Sequence, residues 1–188
     1  MMIKAGQIDK GTALLIKGQP FIVVDREFVN PGKGSAFVRV RLKSPATGQT
    51  LRETFKTQDN VEDITVDDRD CQYLYNDGDN FHFMLTETFE QIEIPMATFE
   101  DYQFIMKEGE TYRVTFWEHQ PLDIQIPTKV IFDVAEAEEA IKGDTVTGAT
   151  KNVTTETGLV VRVPIFIKQG ERILVNTETK EYIERVNK

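Results

Sequence analysis

An all-β protein built from small barrels or sandwiches is the fold class this sequence predicts, on three observations. Short stretches rich in Val, Ile, Phe and Tyr recur every eight to twelve residues. Turn signals such as KGQP, NPGKG, ATGQ, NDGDN, KEGE and KQGE separate them. Helical spacing of apolar residues is confined to one segment. Strands alternate their side chains between two faces and end where Gly, Pro, Asn and Asp accumulate, so this punctuation is that of many short antiparallel strands.

In chain order, the expected strands are Ala13 to Lys17, Phe21 to Phe28, Ala36 to Lys43, Leu51 to Lys56, Cys71 to Tyr75 and Phe81 to Leu85, followed by Thr111 to Trp117, Val130 to Ala135, Val160 to Ile167, Arg172 to Val175 and Tyr182 to Val186. One short helix is expected in TFEDYQFIMKEG, where Phe99, Tyr102 and Ile105/Met106 recur at helical spacing before a glycine. Boundaries are expected at the acidic run VEDITVDDRD and at QIPTK around Pro127, giving three small β domains at 1–64, 65–127 and 128–188. Tyr73, Tyr75, Phe81 and Phe83 read as barrel core, and Cys71 as a half-buried strand residue.

The chain has 188 residues and a formal net charge of -9, with 40% hydrophobic and 28% charged residues, the composition of a soluble globular protein. No apolar run approaches the length of a membrane span and no secretory leader is evident, so a cytoplasmic protein is expected. One cysteine and two histidines exclude an internal disulfide and a zinc-type ligand cluster; no cofactor, metal or catalytic group is expected. The charge is uneven. Residues 1–64 carry 10 Lys/Arg against 7 Asp/Glu, residues 65–127 carry 3 against 14, and residues 128–188 carry 9 against 10. An N-terminal unit able to meet a polyanion therefore precedes a middle unit that would be repelled by one.

The stretch FVNPGKGSAF places Lys33 between Gly32 and Gly34. Phe21 to Phe28 and Ala36 to Lys43 read as the arms of a hairpin, with Pro31 and Gly32 at the corners of a type II turn and Lys33 at the tip. Glu27 occupies the place of the first glycine of a phosphate-binding P-loop and Gly34 that of its Ser/Thr, so that motif fails. A glycine-flanked tip offers no desolvation, which argues against a lysine activated for catalysis. In AFVRVRLK, Val38, Val40 and Leu42 share one face, and Arg39, Arg41 and Lys43 the other. If ATGQ closes the next hairpin, Lys43 lies opposite Arg52 and Arg39 opposite Lys56. A ladder of like charges is unfavourable in itself and suits a phosphate-rich ligand, with RNA backbone the favoured one.

FVNPGKGSAFVRVRL, YLYNDGDNFHFM followed by ETFEQ, and TKNVTTETGLVVRVPIFIKQGE closely resemble, in that order, three motifs of the bacterial elongation factor P family. The resemblance spans nearly the whole chain. It implies an N-terminal SH3-like barrel of the KOW type and two OB-fold barrels in an L-shaped arrangement. It also implies a non-enzymatic, monomeric translation factor that binds the 70S ribosome between the peptidyl and exit sites and relieves stalling at consecutive prolines. Lys33 would then reach the CCA end of peptidyl-tRNA after extension by a lysine-modifying enzyme, supported by Pro31, Gly32 and Gly34. Arg39, Arg41, Lys43, Arg52 and Lys56 would meet tRNA or ribosomal RNA backbone. The loop KGDTVTGATK, with Gly143, Asp144 and Gly148, would approach the exit-site codon. A paralogue with other stall targets and a lysine-dependent enzyme are the competing readings; lysine at the tip favours the main family.

Overall fold

A computed structural model describes residues 1–139 and 148–187. Sixteen short strands and three short 3-10 turns make up its regular structure. They fall into two compact units, one of 1–100 with 111–125 and the other of 101–110 with 126–188.

In the first unit, β1 (Met2–Lys4) is followed by β2 (Ala13–Ile16), β3 (Gln19–Val29), β4 (Phe37–Lys43), β5 (Thr50–Lys56) and β6 (Asn60–Glu62). Strands β2 to β5 form an antiparallel meander, and β1 pairs with β6 beside it. The inward residues Leu14, Phe21, Val23, Val38, Val40 and Leu42 close the core with Ala5, Ile8 and Val61. Burying these apolar side chains supplies the driving force that holds the short strands together. The same unit contains β7 (Asp67–Asn76), β8 (Asn80–Leu85), β9 (Gln91–Pro95), β10 (Thr111–Trp117) and β11 (Gln120–Gln125), in the antiparallel order β11-β10-β7-β8-β9. Tyr73, Phe81 and Phe83 are buried as expected, with Tyr73 packed against both phenylalanine rings. Cys71 is fully buried rather than half-buried, which pushes its thiol up to about 11. Tyr75 departs from the core assignment. It is 48% exposed and stacks on His82, because a register shift between Tyr73 and Tyr75 takes it off the inward face.

The turn after β4 seats the first meander on the second sheet. The Thr98 hydroxyl donates to the Pro45 carbonyl at 2.7 Å in a buried setting, and Lys43 Nζ lies 5.1 Å from the centroid of the Phe99 ring. Gly48 has φ +69°, and a Cβ there would stand 2.8 Å from the Ala97 carbonyl oxygen, so this seat requires glycine both for its backbone and for its space.

In the second unit, β12 (Lys129–Ala137), β13 (Thr150–Thr155), β14 (Val160–Pro164), β15 (Arg172–Asn176) and β16 (Glu181–Val186) form the order β14-β13-β12-β15-β16. The sheet curls until β14 and β16 come into contact. Residues 101–110 pack here: Ile105 joins the core with Phe132, Val161 and Ile173, and Lys107 Nζ donates to the Ile131 carbonyl and pairs with Glu156, both at 2.6 Å. The expected helix in this region is two 3-10 turns, Met96–Thr98 and Glu100–Phe104. Its apolar residues do not serve one helical stripe; Phe99 meets Lys43 in the first unit, whereas Ile105 enters the core of the second. Among the described residues, no helix is long and apolar enough to cross a membrane.

Asp123, on β11, sits close enough to the first meander to interact with Lys43. Burial pushes its carboxyl up to about 6; the Ile124 amide and Lys43 oppose the rise, and Asp68 adds to it. Folded Asp123 thus keeps its proton at pH values where the unfolded carboxyl, with a pKa of about 4, has lost it, and stability falls as pH rises through that window. Asp123→Asn is expected to stabilise the protein by about 1–2 kcal/mol at pH 7 and to have little effect near pH 4. Urea unfolding at the two pH values checks this; an equal effect at both would refute the assignment.

Candidate nucleic-acid interface

The candidate site is the hairpin of β3 and β4 with the outer face of β4 and β5. Val29 pairs with Phe37, leaving residues 30–36 as the connecting loop. Gly32, Lys33, Gly34 and Ser35 are exposed, and the space around Gly32 and Gly34 is open to 4 Å from a Cβ built at either. The expected type II turn requires a positive φ at Gly32, but the residue in that region is Gly34, at φ +106°. The reversal is therefore on the other side of Lys33, and glycine is needed at 34 for the backbone angle itself.

The expected segregation of faces is present, because side chains alternate along both strands. Val38, Val40 and Leu42 are buried, whereas Arg39, Arg41, Arg52 and Lys56 are exposed. The register of the basic residues differs from the expectation by two positions. Arg41 faces Arg52, Arg39 faces Thr54, Lys43 faces Thr50, and Lys56 faces Phe37. Only one like-charge pair is thus directly opposed among these strand partners, because the turn between β4 and β5 takes in Ser44 to Gln49 rather than ATGQ alone. Lys43 is half-buried and turned to Phe99, so its ammonium is shared with the seat described above.

Sequence reasoning missed the acidic rail along the basic face. A bulge between Val23 and Asp25 shifts β3 by one residue, placing Asp25 opposite Arg41 and Glu27 opposite Arg39. The resulting pairs measure 3.9 Å and 3.4 Å. Arg39 also lies 5.2 Å from the centroid of the Phe37 ring, which holds its planar guanidinium against the hairpin stem. Both ion pairs are solvent-exposed and therefore weak, so the arginines can exchange carboxylate for phosphate at small cost. The only sequence signal for this rail was the alternation of Asp25 and Glu27 with Arg26, and it has the right phase only if the bulge is known.

Gly148 has φ +102° and stands just before β13. Gly143 and Asp144, the other two residues expected at a codon loop, lie outside the described residues. Among the described residues, no group of three or more His, Cys, Asp or Glu is placed to hold a metal ion.

Glu27 competes with any polyanion for Arg39. Glu27→Gln is expected to tighten binding to a short RNA at low salt and to steepen the fall of log K with log salt by up to about 0.9, the contribution of one additional neutralised phosphate. A slope unchanged in a salt titration would show that Glu27 does not withhold Arg39 from phosphate.

Three family models match in sequence order: a KOW-like domain of elongation factor P over residues 4–61, its OB domain over residues 66–124, and its C-terminal domain over residues 130–185. The chain is 60% identical to elongation factor P of Treponema denticola over 186 residues, covering 99% of this chain and 100% of that protein. It is 56% identical to elongation factor P of Treponema pallidum with the same coverage. A solved structure of eukaryotic translation initiation factor 5A from Methanococcus jannaschii aligns with a TM-score of 0.52 at 25% identity, over 67% of this chain and 92% of that one. With three ordered domain matches and full-length relatives of this similarity, the chain belongs to the elongation factor P family of translation factors.

Proposed function

We propose that this cytoplasmic factor binds the 70S ribosome between the peptidyl and exit sites. There it speeds peptide-bond formation at consecutive prolines by holding peptidyl-tRNA through the Lys33 hairpin. The observation that carries this reading is an exposed lysine at the tip of a hairpin whose flanking glycines leave open space, continuous with a face bearing Arg39, Arg41, Arg52 and Lys56. A hairpin without bulk at its tip can enter a crowded RNA cleft, and the basic face can track backbone phosphate behind it.

The chemistry required of the protein is positioning. Proline constrains its own backbone and is a poor participant in bond formation, so a stalled complex rarely aligns its reacting atoms. Fixing the CCA end raises the population of reactive geometries without any group on the factor taking a proton or forming a bond. A tenfold to hundredfold acceleration needs only about 1.4–2.7 kcal/mol, within reach of a few charge-assisted hydrogen bonds. Extension of Lys33 by a modifying enzyme would add reach and at least one donor, with Pro31, Gly32 and Gly34 shaping the loop that both that enzyme and the tRNA meet. In the same reading, residues 1–64, 65–127 and 128–188 act as three domains, and Gly143, Asp144 and Gly148 approach the exit-site codon.

Diproline synthesis on ribosomes of the native organism tests the reading. Wild-type protein purified from that organism should accelerate the reaction, and Lys33→Ala should lose the acceleration by about tenfold to hundredfold, with a non-proline template unaffected by either. Equal stimulation by the alanine variant would remove Lys33 from the mechanism.

A further inference from the structure

The β8–β9 turn, within the family-like stretch ETFEQ, holds a large aromatic side chain in a conformation that folding alone disfavours. Among the described residues, four non-glycine residues have positive φ: Lys17, Phe89, Glu118 and Lys180. Three of them are charged and suit exposed turns. Phe89 is the exception, at φ +59° and 71% exposed. Bulky side chains are disfavoured in the left-handed region, where Asn and Gly are common, and a solvent-facing phenylalanine gains none of the stability of burial. A fold selecting only for a stable turn would place a small polar residue here.

The turn is also well fixed. The Phe89 amide donates to the Leu85 carbonyl and the Leu85 amide to the Glu90 carbonyl, both at 2.9 Å. Thr86 anchors the turn to β7, its amide and hydroxyl donating to the Asp70 carbonyl at 3.0 and 3.1 Å. Phe89 is thus presented by a braced support, which lowers the ordering cost of using it as a contact. Glu87, Glu90 and Glu93 lie exposed in the same stretch, and no basic residue stands between Met84 and Glu93.

We propose that the β8–β9 turn is a protein-docking element with Phe89 as its anchor, and that its partner is a basic protein surface on the ribosome with an apolar recess. This rests on the ribosome-binding reading above. Aromatic side chains carry much of the energy of protein interfaces when seated in a pocket, and the surrounding carboxylates supply the complementary charge. The same carboxylates would repel phosphate, so a protein is favoured over RNA as the occupant.

Two measurements on the full-length protein test this. Phe89→Asn relieves the backbone conformation, and is expected to raise the melting temperature by about 2–4 °C while weakening binding to purified 70S ribosomes about tenfold. Phe89→Tyr should keep the wild-type affinity. A benzoyl-phenylalanine placed at position 89 should cross-link, on irradiation of the complex with purified ribosomes, to a basic ribosomal protein. A cross-link to ribosomal RNA alone, or an unaltered affinity of Phe89→Asn beside a wild type that binds, would overturn this inference and leave the ribosome-binding reading standing. Failure of the wild type itself to bind would overturn both.

Discussion

The arrangement of the candidate site depends on a one-residue bulge in β3. Ahead of it, Ile22 and Val23 pair with Lys43 and Leu42; beyond it, Asp25, Arg26 and Glu27 pair with Arg41, Val40 and Arg39. Without the extra residue, continuing the first register would set Arg26 against Arg39 and Asp25 against buried Val40. A shift of one residue exchanges the two faces of a strand, so the bulge decides which charges meet and which side chains enter the core. It lets one continuous strand satisfy an apolar barrel at one end and a charged hairpin at the other.

That solution leaves the basic face balanced. Asp25 and Glu27 offset the repulsion that Arg39, Arg41 and Arg52 would otherwise impose, yet remain solvent-exposed and easily displaced. The hairpin can therefore be stable on its own and still present guanidinium groups to a polyanion. The first meander is not an isolated support, either. The Thr98–Pro45 hydrogen bond and the glycine-dependent approach of Gly48 to Ala97 tie the turn at the foot of β4 to the following sheet. In the proposed role, a rigid base of this kind matters because a positioning mechanism fails if the tip is held loosely.

Much of this was legible in the sequence, for definable reasons. Val38, Val40 and Leu42 alternating with Arg39, Arg41 and Lys43 fixed the two faces of β4, since the period of a strand is a local property. Lys33 as an exposed tip followed from its glycine neighbours. Register was harder, because it depends on the non-local match between two strands: Arg41 rather than Lys43 faces Arg52, and the bulge at Val24 gave no local signal. Strands β1, β6, β9, β11 and β13, too short or too polar to stand out, are defined by the partners they pair with. In the 98–109 segment, apolar residues spaced as in a helix serve two different units, so periodicity pointed to a single element that is not present.

In the proposed role the Lys33 tip lies beside the CCA end of peptidyl-tRNA, and that proximity can be measured directly. Cys71 is fully buried with its thiol pushed up to about 11, so a cysteine introduced at exposed Ser35 can be labelled selectively while Lys33 is left intact. With an iron chelate at that position, hydroxyl radicals generated in a diproline-stalled complex should cleave the 3′ end of the peptidyl-site tRNA. Cleavage confined to other RNA, or none in a complex that contains the factor, would place the Lys33 tip away from the CCA end.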